Sequence, residues 1–158
     1  MTSVILTDGG MGQELVRRSQ SEPTPLWSAR VLIDEPELVC DLHAEFIRAG
    51  ARVITINTYS ATPERLAREG AEELFKPLQK RGIELARQAC DEAGEAAIAG
   101  CLSPLFGSYA PALTISFEET LGIYRRIVAE QAEGVDLFLC ETMASAEEAR
   151  AAVTAACE

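Results

Sequence analysis

Two acidic residues each follow an apolar run of the sequence. Asp8 comes after Val4–Thr7, and Glu141 comes after Val135–Cys140. Neither acid is next to a lysine or an arginine. Two carboxylates that face one cavity can bind a cationic group such as the ammonium of an amino acid, act as an acid/base pair, or hold a divalent metal. The alternative is that both are solvated or cap the loops that follow them.

Polar residues also end two further apolar runs. Val53–Asn57 leads into Thr58 and Tyr59, and Ala96–Leu102 leads into Ser103. All four runs are nearly continuously apolar rather than alternating, which is typical of strands covered on both faces. In parallel α/β folds the working residues lie at the carboxyl ends of the strands. We therefore expect these polar residues to share one rim with the two acids.

Stretches with helical spacing separate the four runs and begin at capping signals. A short polar residue stands at each expected helix start, followed in most cases by an acid three residues on: Asp34, Thr62, Ser116 and Ser145. The order strand–helix, repeated four times, predicts parallel strands with right-handed crossovers. Two architectures fit, a small doubly wound sheet and part of an eight-fold barrel.

The glycines after the first run could be mistaken for a dinucleotide-binding loop. The segment Asp8–Gly12 reads DGGMG. Its spacing is not GxGxxG, and an acid stands where the strand ends. This pattern disfavours a Rossmann interpretation.

The overall composition is that of one globular domain, residues 1–158, with 47% hydrophobic and 25% charged residues. A net charge of −11 disfavours nucleic acid and anionic membranes as partners. The first residues lack a basic segment and a long apolar stretch, and no apolar run approaches the roughly 20 residues of a membrane span. The five cysteines form no CxxC pair and are interpreted as reduced thiols, so the expected location is the cytoplasm.

Four segments together resemble the homocysteine S-methyltransferase family. Asp8–Leu15 (DGGMGQEL) is similar to the opening motif of the family, and Pro25–Ala29 (PLWSA) to the segment after it. Ile56–Tyr59 (INTY) resembles the end of the second strand, and Asp136–Thr142 (DLFLCET) the fourth strand with its acid. The segments span the chain in the family's order and spacing.

The resemblance implies a (β/α)₈ TIM barrel, of which this chain would cover about the first four β/α units. Family members transfer a methyl group from a donor to the thiolate of homocysteine, giving methionine, and a zinc ion binds that sulfur. The implied substrate-binding residues are Asp8 and Glu141 for the amino group, Gly9 for close backbone approach, and Asn57 and Thr58 for the pocket wall. The methyl donor, which differs between family members, is not identified by these residues.

The zinc ligands of the family are a cysteine after the sixth strand and an adjacent pair after the eighth. None of the cysteines here matches those positions, so no metal ligand and no catalytic residue is assigned to this chain. Strand alternation predicts that Cys140 faces the opposite side from Glu141, while Cys101 is a single cysteine on the third strand. Structural packing is the expected role of all five cysteines.

Two interpretations follow. The chain is either part of a longer enzyme, or a half-barrel binding module that pairs with itself or with a separate second half. Either way, its first and fourth strands would be open sheet edges, which predicts self-association or a need for the missing half. Among single residues, His43 lies between acids and is predicted to be a surface residue, and Trp27 is predicted to pack its loop over the barrel.

Overall fold

The computed structural model describes residues 4–20, 26, 28–113 and 115–158. Pro25 and Trp27, which belong to the second family-like segment, lie outside the described residues. The packing role predicted for Trp27 therefore stays a prediction.

Three of the four apolar runs form a parallel sheet. Its strands are β1 (Val53–Thr55), β2 (Ala97–Leu102) and β3 (Leu137–Cys140). The spatial order is β1-β2-β3, with Thr55 opposite Ala99 and Cys101 opposite Leu139. Most strand residues are apolar on both faces of the sheet, and helices cover one of these faces.

The first apolar run does not form the full strand that the sequence predicts. Val4–Thr7 forms only a single parallel bridge, between Thr7 and Val53. The Arg52 amide donates to the carbonyl of Leu6 at 2.8 Å, so the segment does run beside β1. Val4 is 93% exposed, because within the described residues this edge has a neighbour on one side only. Four complete β/α units are therefore not confirmed.

The order of the strands distinguishes the two candidate architectures. A doubly wound sheet reverses its strand order at a switch point. Here the segment around Thr7, then β1, β2 and β3 follow one another in space as they do along the chain. Sequential order is the arrangement of a (β/α) barrel wall.

Seven helices accompany the strands within the described residues, and three single 3₁₀ turns join them. The helices are α1 (Met11–Arg18), α2 (Ser28–Asp34), α3 (Pro36–Arg48), α4 (Pro63–Arg68), α5 (Phe75–Ala93), α6 (Phe117–Gln131) and α7 (Ala146–Cys157). The most extensively packed helix pairs are α6 with α7 and α3 with α5, and a continuous apolar core joins them to the sheet. In the described part of the chain, no helix is long and apolar enough to cross a membrane.

Three of the four predicted helix starts are confirmed. The hydroxyls of Thr62, Ser116 and Ser145 each accept from the backbone amide three residues on, and Ser116 forms a complete capping box with Glu119. The fourth prediction was wrong. Asp34 is the last residue of α2 and accepts from Arg30, because the chain leaves one helix and begins the next within two residues.

The surface position predicted for His43 was also wrong. His43 is fully buried on the inner face of α3, and neither ring nitrogen has a hydrogen-bond partner in the described part of the chain. The acids Asp41 and Glu45 are exposed because residues two positions away project from the opposite side of a helix. Burial lowers the pKa of His43 to about 4, so the ring is neutral at pH 7.

Candidate functional site

A cavity of about 690 Å³ opens at the carboxyl ends of the strands. This is the end of a parallel β/α unit at which active sites form. Its wall combines residues from the first apolar segment, from β1 and α4, from the loop after β2, and from β3. They are residues 7–13, 55–57, 59, 65, 108, 109, 139, 141 and 142.

Asp8 stands on the cavity wall and is held by β1. Its Oδ2 accepts from the backbone amide of Thr55 at 2.7 Å, and its Oδ1 from the Thr55 hydroxyl at 3.2 Å. Burial raises the pKa of Asp8 above its ordinary value, the bonds from Thr55 oppose that rise, and the charge of Glu141 adds to it. The two acids therefore share one electrostatic environment, as the sequence predicts.

Glu141 is positioned by the end of β3. Its amide donates to the carbonyl of Leu102 at 3.0 Å, and its side chain Oε1 accepts from the thiol of Cys101 at 3.3 Å. The next residue, Thr142, has a left-handed backbone with φ of 54°. Such a conformation costs a non-glycine residue roughly 1–3 kcal/mol and tends to occur at functional sites.

Cys101 points toward the cavity side of the sheet, whereas Cys140 does not. Burial raises the pKa of the Cys101 thiol well above its usual range, and the neighbouring Glu141 carboxylate raises it further. Cys101 is thus a protonated donor at neutral pH. Cys140 packs against the apolar core on the helix side, close enough to Cys157 of α7 to affect its pKa. The predicted opposition of Cys140 and Glu141 is confirmed.

The remaining predicted substrate-binding residues divide between the two faces of the sheet. Asn57 is on the cavity wall, and its Nδ2 donates to the carbonyl of Ser28 at 2.9 Å. Thr58 does not line the cavity. It points into the helix layer, where a Cβ on Gly82 of α5 would come within 2.8 Å of its methyl group. Consecutive residues of an extended chain project to opposite faces, so only one of this pair can reach the cavity.

Gly9 lines the cavity through its backbone. A Cβ added there would approach the ring of Phe46 on α3 to 3.0 Å. The lack of a side chain therefore lets this segment pack closely on α3, in addition to leaving the backbone open to the cavity.

One wall residue, Arg65, was missed by the analysis of the sequence, whereas Tyr59 lies on the cavity wall as expected. Arg65 of α4 donates from Nη2 to the carbonyl of Pro104 at 2.9 Å, and its guanidinium lies 5.1 Å from the centre of the Tyr59 ring. The Tyr59 hydroxyl is 2.6 Å from Oγ of Ser108. The Thr62 cap could have identified Arg65, because it marks the start of α4, and the first turn of a helix that follows a strand lies beside the carboxyl end of that strand.

The donor set does not fit the zinc site that the resemblance implies. Across the described ranges, no group of three or more His, Cys, Asp or Glu side chains is placed to hold a metal ion. Cys101 carries a thiol near the cavity, but this thiol is protonated and donates a hydrogen bond to Glu141. We therefore derive no chemical step through zinc for these residues.

The sequential parallel strands and the acid-lined cavity at their carboxyl ends have the arrangement of one section of a (β/α) barrel wall. The sequence profile named Homocysteine S-methyltransferase matches residues 5–158. The chain therefore belongs to the homocysteine S-methyltransferase family.

Individual relatives agree with this assignment. The chain is 34% identical to the homocysteine S-methyltransferase of Escherichia coli, over 94% of this chain and 53% of that protein. It is 30% identical to a homocysteine S-methyltransferase of Bacillus subtilis, over 95% of this chain and 53% of that protein. The chain thus spans about half the length of these curated relatives.

A solved structure is similar throughout the chain. The metallated form of the homocysteine methyltransferase MmuM from Escherichia coli superimposes with a TM-score of 0.84 at 33% identity. The match covers 98% of this chain and 60% of that one. The fold described above is therefore shared with more than half of a homocysteine methyltransferase.

Proposed function

We propose that this chain supplies the homocysteine-binding half of a homocysteine S-methyltransferase. In the complete barrel, a methyl group would pass from a donor to the thiolate of homocysteine, giving methionine. The observation that carries the proposal is the presence of Asp8 and Glu141 on the wall of one cavity at the carboxyl ends of the strands. Family membership supports the identity of the ligand.

The two carboxylates suit the ammonium group of an amino acid. An ammonium has three donors, and each carboxylate oxygen can accept more than one hydrogen bond. The bonds from Thr55 to Asp8 and from Cys101 to Glu141 fix both acceptors in place without neutralising their charge. A cation between the acids would also relieve the repulsion that contributes to the raised pKa of Asp8.

The role of these residues is binding and orientation. Zinc, where it is bound in the family, activates the homocysteine sulfur by favouring its thiolate form. The described residues do not supply the ligands for that ion, so they would hold the amino-acid end of the substrate. Asn57 would contribute to the pocket wall and Gly9 would let the backbone approach the ligand.

Titration of the 158-residue chain with homocysteine under reducing conditions tests the proposal. Glu141→Gln and Asp8→Asn should each weaken binding by roughly 1.5–3 kcal/mol, because each removes a charged hydrogen bond to the ammonium. Asp34→Asn is the matched control, since Asp34 pairs with Arg30 on the surface and lies outside the cavity. Unchanged affinity in both folded cavity variants would show that the assignment is wrong.

Methyl transfer should need more than this chain. A thiolate-binding zinc site requires about three protein ligands besides the substrate. The purified 158-residue chain should therefore contain no stoichiometric zinc and should not methylate homocysteine above background. Metal analysis that finds one tightly bound zinc per chain would contradict this expectation.

A further inference from the structure

Arg65 places a guanidinium on the cavity wall without a carboxylate partner. In the described part of the chain, none of the ion pairs includes Arg65. Its guanidinium forms hydrogen bonds with the carbonyl of Pro104, from Nη2, and with the Tyr59 side chain, while its Nε is buried without a hydrogen-bond partner among the described residues. Burial lowers the pKa of this arginine. A desolvated cation of this kind is costly unless something pairs with it.

Arg68, one helical turn further along α4, is a useful comparison. An arginine can make a carbonyl bond and a ring contact like those of Arg65 without lying on the cavity wall. Arg68 donates from Nη1 to the carbonyl of Phe106 at 2.6 Å and lies 5.6 Å from the centre of the Phe106 ring. These contacts have the same form as those of Arg65 with Pro104 and Tyr59. Arg68 is exposed and is not part of the cavity wall. The feature that distinguishes Arg65 is its position on the cavity wall that also contains the two acids.

Asp8, Glu141 and Arg65 all line the same cavity. The thiol of Cys101 is influenced by all three charges, with Glu141 and Asp8 raising its pKa and Arg65 lowering it. An α-amino acid carries an ammonium and a carboxylate on one carbon, so its recognition needs negative and positive groups close together. Arginine is suited to the second role because its planar fork can donate two parallel hydrogen bonds to a carboxylate.

We propose that Arg65 binds the α-carboxylate of the substrate, so that the cavity selects amino acids with a free carboxylate over aminothiols that lack one. This inference rests on the proposed function, because it assigns the second charged group of the same ligand. Arg65 is then a specificity-determining residue, and Asp8 with Glu141 recognises the other end of the zwitterion.

A pair of ligands isolates this contact. Homocysteine and 3-aminopropane-1-thiol differ by the carboxylate, and both can be titrated into the reduced 158-residue chain by calorimetry or NMR. The unmodified chain should bind homocysteine about 10- to 100-fold more tightly, as expected for a charged hydrogen bond. Arg65→Met should lose this preference by weakening homocysteine binding alone. Arg68→Met is the matched control and should keep it.

The outcomes separate the inference from the proposed function. Equal binding of the two ligands by the unmodified chain overturns the role of Arg65 without depending on any variant. Arg65→Met that weakens both ligands equally also overturns it, since that result indicates a merely structural contact. If homocysteine binds and Arg65→Met changes nothing, the inference fails and the proposed function stands. Failure of the unmodified chain to bind either ligand rejects both.

Discussion

The thiol of Cys101 on β2 donates to the carboxylate of Glu141, one residue beyond β3, across 3.3 Å. The parallel register that pairs Cys101 with Leu139 brings these side chains to the same face. The contact holds one of the two cavity acids from the neighbouring strand. It also keeps the thiol protonated, because burial and the adjacent negative charge both raise the pKa of Cys101.

The cysteines should therefore differ in their reactivity toward iodoacetamide. Only the thiolate reacts appreciably, so Cys101 should stay unmodified in the folded chain at pH 8 while the exposed Cys157 is alkylated. Mass spectrometry of the tryptic peptides gives the extent at each site, and labelling in urea is the control for intrinsic reactivity. Alkylation of Cys101 at the rate of Cys157 would show that its thiol is not held as described.

His43 should make the fold sensitive to acid. Its pKa is near 6.5 in an unfolded chain and about 4 in the folded one. Protonation therefore favours unfolding, and the stability contributed by neutral His43 is present above pH 6.5 and is lost as the pH falls toward 4. Between pH 7.5 and 4.5 the loss should be about 2–3 kcal/mol.

Urea unfolding of the parent and of His43→Leu across this pH range tests the assignment. Leucine leaves no ring nitrogen to protonate, and both nitrogens of His43 already lack partners among the described residues, so no hydrogen bond is lost. The variant should lose less stability on acidification than the parent. Parallel stability curves for the two proteins would contradict a buried, neutral histidine.

Glu148 should be important for the loops around the cavity. This buried carboxylate at the start of α7 accepts from the amide of Leu105 at 3.0 Å and from the amide of Ala144 at 2.8 Å. It thereby connects the loop after β2 to the loop after β3. Glu148→Gln should destabilise the chain by about 1–3 kcal/mol, because an amide NH₂ would face one of the two backbone donors.

Glu147→Gln is the control for this prediction. Glu147 is exposed and pairs with Arg150, so its replacement should change the free energy of unfolding by less than about 1 kcal/mol. Urea denaturation midpoints of the two variants provide the comparison. Equal effects would mean that the bridge between the loops contributes nothing particular.

The open edges of the sheet should promote self-association of the 158-residue chain. Val4, Ile5 and Leu6 are 93%, 65% and 54% exposed at one edge, and Leu137 is 40% exposed at the other. Unpaired apolar edges of this kind are templates for pairing with another chain. Light scattering should show a mass that rises with protein concentration.

Lysine substitutions can identify the surface through which copies of the chain associate. Ile5→Lys places a charge on the edge and should reduce association, whereas Val153→Lys changes an exposed residue of α7 and should not. A compact monomer at every concentration would reject the prediction. Loss of association in Val153→Lys would instead place the contact on the helix layer.

The features that were predicted from the sequence depend mainly on residues that are close together along the chain. The capping box of Ser116 and Glu119 forms between residues three apart, and continuous apolar runs identify the strands whichever partners they find. The expectation that Asp8 and Glu141 share a cavity needs only one further fact, that parallel strands end at the same edge.

Tertiary structure decided which side chains meet. Whether Asn57 or Thr58 faces the cavity depends on the phase of β1, and whether His43 is buried depends on which side of α3 packs inward. Arg65 joins the cavity wall from α4 and contacts Pro104, which is 39 residues away in sequence, so no local pattern predicts this position. Spacing along the chain determines the type of each element, whereas register and packing determine which residues from different elements lie together, because those contacts are made by residues distant in sequence.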